Sequence, residues 1–242
     1  MKLITMVATA FVLFILGFGH GQSIPTEPDV IAIVLEKKIT ATEKDQLNEL
    51  ILGALFEKFA EDNKIKPTDE ELDVFLRKMD ENEKQHQAEL KRDRNKLQKE
   101  LKSSSLSAQE RKEKESQLQT IQSILNSTPE VTDQPKDMDE QMRTMKRQMA
   151  QQFVQSWKIN KAMYEKYGGR VIFQQAGYEP IDAYRDFLKD QEKNGAFEII
   201  DKKYEAKFWR YFTNDAMHVF CEKEDEAKSI NTPWWMMDKP AE

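Results

Sequence analysis

The sequence predicts a mostly α-helical protein with a small two-stranded antiparallel β element and a protruding helical hairpin arm. Three observations lead there. Apolar residues recur at helical spacing along most of the chain, and the apolar β-branched runs are short, Val30–Leu35 and Val171–Phe173. Between residues 80 and 126 the apolar positions thin to narrow seams in a strongly charged background, the pattern of helices that pair along one edge.

Ahead of the first element, Lys2 precedes the apolar run Leu3–Phe18, and Gly19-His20-Gly21 offers small residues where a leader is cut. Residues 1–21 are expected to be a signal peptide, which places the protein in the periplasm or outside the cell. The alternative is an N-terminal membrane anchor, against which stand the single basic flank and a run shorter than the ~20 residues that cross a bilayer. No later segment is apolar enough to span a membrane. Thirty-seven Lys and Arg oppose 43 Asp and Glu, a net charge of −6 that becomes −7 without Lys2. That balance argues against nucleic acid as a partner. Cys221 is the only cysteine, which excludes an intrachain disulfide.

Val30–Leu35 reads as a strand, followed by Lys37, Lys38 and Ile39. Thr40 and Glu43 have capping-box spacing, and Leu47, Leu50, Ile51, Ala54, Leu55 and Phe59 continue as a helix to about Asn63. Pro67-Thr68-Asp69-Glu70-Glu71 opens the next helix in the same way, with Leu72, Phe75, Leu76 and Met79 on one face. From Asp80 to Gln117, 19 of 38 residues are charged, and Leu90, Leu97 and Leu101 form one seam. Ser103–Ser105 breaks it, Ser107 and Glu110 start a new helix, and Leu118, Ile121 and Leu125 form a second seam. The pair reads as an antiparallel hairpin, with a solvated, frayed linker as the alternative.

Pro129 and Pro135 bound a linker over residues 127–136. A long helix follows to Tyr167, its inward positions expected at Met138, Met142, Met145, Met149, Phe153, Trp157, Asn160 and Tyr164. Gly168-Gly169 ends it, since glycine takes the left-handed cap conformation without penalty. An isolated strand leaves backbone donors unpaired, so Arg170–Gln174 is expected to pair with Val30–Leu35, with Val171 and Phe173 facing the body. Pro180 starts a helix carrying Ile181, Tyr184, Phe187 and Leu188, stopped by Asn194-Gly195. Phe197–Ile200 reads as a short strand and Tyr204–Phe212 as a helix. The expected organisation is a body made of residues 22–79 and 137–212, an arm at 80–126 and a tail at 213–242.

The stretch VIAIVLEKKITATEKDQLNELILGALFEKFAEDNKIKPTDEELDVFLRKM, residues 30–79, resembles the N-terminal chaperone domain of SurA and its relatives. A strand leads through Ile39-Thr40 into a helix, and "IKPTDEEL" opens the next helix as in the trigger factor module. Where the family commonly turns through Asn-Gly, this chain has Leu35-Glu36-Lys37. The segment INKAMYEKYGGRVIFQQAGYEPIDAYRDFL is also similar to a group of secreted SurA-like proteins. The resemblance implies a domain completed by a distant helix and a protein that binds non-native polypeptides. Relatives often carry a parvulin prolyl isomerase domain, which needs glycine-bearing turns and, in the family, a pair of histidines. Residues 54–167 hold no glycine and one histidine, His86.

No residue pattern points to catalysis, a metal or a cofactor. His218 stands three residues before Cys221, a spacing common by chance, and Gly168-Gly169 lacks the Lys-Ser/Thr of a phosphate loop. Glu179, Asp182 and Asp186 read as solvated acids favouring a helix N-terminus. Methionine is flexible and polarizable, so Met142, Met145, Met149 and Phe153 are candidates for a client-binding groove; the alternative is core packing against Leu47, Leu50, Leu72 and Phe75. The expected function is a periplasmic chaperone-like protein that binds unfolded or partly folded exported proteins without ATP or covalent chemistry. The alternatives are a structural adaptor that docks a dedicated partner through the arm and an accessory protein of a prolyl isomerase. A second copy of the chain, forming a dimer, is a further candidate partner.

Overall fold

The computed structural model describes residues 29–127, 136–174 and 177–237. The expected leader at 1–21 and most of the 127–136 linker lie outside the described residues.

The chain is mostly helical, with two small antiparallel sheets among the described residues. β1 (Val30–Val34) and β2 (Lys37–Thr40) form a hairpin in which Val34 faces Lys37. Its two-residue turn puts Leu35 and Glu36 at φ 46° and 67°, the left-handed geometry that matches strand twist and that Asn-Gly adopts cheaply. The turn survives on side chains that disfavour it because both flanking strands are pinned. Ile31, Ala32, Val34 and Ile39 are all buried. β5 (Phe197–Ile199) takes the other edge of β1, pairing Ile199 with Ala32.

β1 therefore has both edges occupied, and the expected pairing of Arg170–Gln174 with Val30–Leu35 does not occur. β3 (Ile172–Gln174) pairs instead with β4 (Gly177–Glu179), a local hairpin. Its outer edge is closed by residues 219–221: Phe173 N–H donates to the Val219 carbonyl at 3.0 Å and Cys221 N–H to the Val171 carbonyl at 2.8 Å. Val171 and Ile172 are buried, whereas Phe173, expected to face the body, is 56% exposed.

α1 (Leu47–Asp62) follows a short 3₁₀ turn in which the Thr40 amide donates to the Glu43 carboxylate at 2.9 Å. Its Leu47, Ile51, Leu55 and Phe59 recur at four-residue steps and are buried. α2 (Asp69–Glu100) starts at the reciprocal Thr68–Glu71 cap and runs without a break across the body–arm boundary expected near residue 79. α3 (Ala108–Ser127) returns beside it as the expected arm hairpin, its start capped by Ser107 and Glu110. Arg111 reaches across the serine turn to the carbonyls of Leu101 and Ser103, and Lys114 pairs with Glu100 at 2.6 Å. α3 buries no residue.

α4 (Lys136–Tyr167) joins the parts. Its C-terminal half puts Ile159 and Met163 into the main core with β1, α1 and α5 (Ile181–Lys193), while Ala150 and Val154 form a second core with Leu72 and Phe75 of α2. The expected inward stripe is thus rotated. Met142 and Met145 are exposed, 40% and 54%, and the side chain of Met138 lies outside the described residues. α6 (Glu205–Thr213) adds Phe208 and Phe212 to the main core. After a short α7 (Glu226–Asn231), Trp235 folds back into the second core, its ring 5.0 Å from Phe75 and 5.9 Å from Trp157. No helix among the described residues is long and apolar enough to cross a membrane.

Candidate functional site

A cleft of about 1550 Å³ runs along the junction of the two cores. α1 supplies one wall with Leu52, Gly53, Phe56 and Ala60, and α4 supplies another with Met149, Phe153, Trp157 and Asn160. The β3–β4 hairpin contributes Phe173, Tyr178 and Glu179, and the tail contributes Pro233, Trp234 and Trp235. A Cβ added at Gly53 would meet nothing within 4 Å, so the middle of α1 is open toward the cleft. Glycine there costs about 0.5–1 kcal/mol of helix stability relative to alanine, which the fold spends on space.

Of the four groove residues expected from the sequence, the structure brings two to the cleft. Met149 is half-buried, and Phe153 stacks on Phe75 with centroids 5.6 Å apart; both line the wall. Met142 and Met145 continue along α4 beyond the lining residues and face solvent. Core packing against Leu47, Leu50, Leu72 and Phe75, the alternative, occurs in part. Leu47 and Leu50 belong with the main core, while Phe153 packs on the second one around Leu72 and Phe75.

The polar groups of the cleft come from residues that the sequence did not mark as groove residues. Glu179 is half-buried on β4, not solvated at a helix N-terminus as expected. Tyr211 of α6 donates its hydroxyl to Glu179 Oε2 at 2.7 Å, and Gln174 Nε2 donates to that hydroxyl at 3.2 Å. The His218 ring donates from Nε2 to the Tyr211 carbonyl at 2.6 Å. Deeper in, the Tyr184 hydroxyl donates to Asn160 Oδ1, and Asn160 Nδ2 donates to the Tyr178 carbonyl at 3.0 Å. Burial pushes the Glu179 carboxyl above its ordinary range, only partly offset by Tyr211 and His218. Burial likewise raises Tyr184 and Tyr211, reinforced by the nearby Glu179 charge.

An ion-pair clamp holds the hairpin at the cleft edge. Asp182, 9% exposed, accepts from the Arg170 amide at 2.9 Å, from Arg170 Nε at 2.8 Å and from Arg185 at 2.9 Å. Arg170 also donates to Asp215 at 2.7 Å and lies over the Phe220 ring at 4.3 Å. Burial alone would push Asp182 up, but Arg170 and Arg185 more than offset it and hold the carboxyl below the usual Asp range. Asp182 too was expected to be a solvated acid. Its burial follows from Gly169, whose missing side chain lets the end of α4 lie directly on the start of α5.

His218 and Cys221 sit in an extended segment, where an i, i+3 pair does not share a face, and the His218 donor is spent on Tyr211. What the cleft offers chemically is a long apolar, aromatic surface with one half-buried carboxylate, Glu179, two further acids and a lysine on its wall, and several hydroxyl and amide groups. That is the composition of a binding site. Comparison of the chain with protein-family models, with curated proteins and with solved structures finds no match.

Proposed function

We propose that the protein is a chaperone-like binder of non-native polypeptides, acting outside the cytoplasm without nucleotide or covalent chemistry, and that the cleft between α1, α4 and the β3–β4 hairpin receives apolar client segments. The carrying observation is the cleft itself. At about 1550 Å³ it exceeds the ~300–1,000 Å³ typical of small-molecule pockets, and its walls are aromatic and methionine side chains suited to varied apolar partners. Met142 and Met145 extend the same surface along α4. The resemblance of residues 30–79 to the SurA N-terminal domain supports the reading, as does the closing of the body by α4 from far along the chain. The adaptor reading draws on α3, which stands off the body without a buried residue.

The test is suppression of aggregation of several unrelated denatured proteins. Gly53→Leu should fold, gaining up to about 1 kcal/mol in helix propensity, while its side chain fills the cleft and activity falls. Met142→Ser/Met145→Ser should keep the parental stability and lose part of the activity. Full activity in a folded Gly53→Leu variant would remove the cleft from the reading. Failure to protect any client, together with co-purification of one protein that deletion of residues 81–126 abolishes, would establish the adaptor instead.

A further inference from the structure

Resting on the reading of the cleft as a client-binding site, we infer that Glu179 makes it select apolar segments that carry a lysine or arginine, its carboxylate receiving the side-chain cation. Glu179 lines the cleft and forms no ion pair among the described residues, although acids elsewhere on the body are paired: Glu71 with Lys158, Asp182 with Arg170 and Arg185. Among the described residues its one hydrogen-bond donor is the neutral Tyr211 hydroxyl. A glutamine would accept that hydroxyl equally well, so the fold does not need the charge. A half-buried carboxylate without a cation is costly, and the cost is recovered when a cation enters.

The surroundings suit one. Tyr211, whose hydroxyl reaches Glu179, presents its ring beside the carboxylate, and Tyr178 and Phe173 line the same cleft; ring faces attract ammonium and guanidinium groups. The other charged residues lining the cleft are Glu57, Glu61 and Lys66, so the wall carries three acids against one base. The occupant that complements both the apolar walls and this charge is a peptide segment with an aliphatic or aromatic core and one basic side chain. An acidic segment would meet repulsion, and a neutral one would leave the carboxylate desolvated.

The experiment uses the full chain and fluorescein-labelled peptides of one apolar sequence that differ at a single position, lysine, glutamine or glutamate, with binding read by anisotropy. The lysine peptide should bind about tenfold tighter than the glutamine peptide, the gain of one charge-assisted hydrogen bond, and the glutamate peptide weakest. Glu179→Gln should erase the lysine advantage, weakening the lysine peptide while relieving the glutamine peptide of the cost of a desolvated carboxylate. Glu57→Gln/Glu61→Gln should retain most of that advantage. A lysine preference that survives Glu179→Gln, or its absence from the parent protein, overturns the inference. Should Glu179→Gln not fold, salt decides: an advantage that vanishes between low and high ionic strength belongs to exposed acids and overturns it, whereas one that persists supports the half-buried carboxylate. Equal binding of all three peptides removes only the role of Glu179, while failure of every peptide to bind removes the client-binding cleft with it.

Discussion

Replacing Gly169 by alanine should be among the most damaging one-carbon changes in the protein, and Gly168 beside it provides the control. Both have positive φ, 68° at Gly168 and 90° at Gly169, so alanine at either is strained by about 1–2 kcal/mol. They differ in what the new methyl group meets. At Gly168 nothing lies within 4 Å, whereas at Gly169 the Cβ would stand 2.5 Å from the Cβ of Asp182. That neighbour cannot step aside, because its carboxylate is held by Arg170 and Arg185 and its backbone begins α5. Overpacking of this kind adds about 1–3 kcal/mol, for a total of about 2–5 kcal/mol at Gly169 against 1–2 at Gly168. At about 2–4 °C per kcal/mol for a chain of this size, the two variants should separate clearly in thermal unfolding followed by circular dichroism. Urea titration gives the free energies directly. Equal losses at the two positions would refute the close approach of α4 to α5 and with it the account of why Asp182 is buried.

Val171→Asp should cost several kcal/mol, because Val171 is fully buried and an aspartate there finds no cation; an unchanged melting temperature would displace the strand. Trp235→Ala should cost about 3–5 kcal/mol by emptying the second core, while Trp235→Phe should cost far less, since the indole N–H finds no acceptor among the described residues; equal losses in urea titration would contradict this. Stability should depend on pH in two opposed ways. Asp182 is held below its ordinary value of 3.8, so its contribution is present above that value and is lost as pH falls through the depressed one. Glu179 is raised above 4.5, so the folded state keeps its proton longer and stability declines as pH rises from 4.5 through the raised value, a decline that Glu179→Gln should abolish in melts across pH 3–8.

The local elements were legible because their signals lie within a few residues. Thr68 and Glu71 announce the start of α2, Ser107 and Glu110 that of α3, and Gly168-Gly169 the end of α4. Strand pairing was not legible. Val30–Val34 and Ile172–Gln174 are both apolar, but nothing in their composition says that Phe197–Ile199 fills the free edge of the first and that residues 219–221 close the second. The phase of α4 was misread because the methionine stripe is real as a pattern, while the smaller Ala150 and Val154 allow the closer approach to α2. Half of the candidate groove, Met149 and Phe153, was visible in that stripe. Glu179 was not, because its burial depends on Tyr211 and on the tail, and no local spacing encodes either. Its place three residues before Asp186's helical turn-mate Asp182 made it look like one more capping acid.

The pairing of Ala32 with Ile199 also sets the order in which the molecule can be assembled. During synthesis the β1–β2 hairpin and α1 are made well before β5, so one edge of β1 stays open until residues 197–199 have emerged. Closing so long a loop adds entropy cost only logarithmically, but it slows the search for the native contact. The arm can zip up meanwhile, since α2 and α3 are neighbours in sequence. Folding should therefore be biphasic, with a fast helical hairpin and a slow step that docks residues 197–199. A nascent chain stalled before residue 197 presents an unpaired, apolar strand edge of the kind that a protein-folding factor exists to shield.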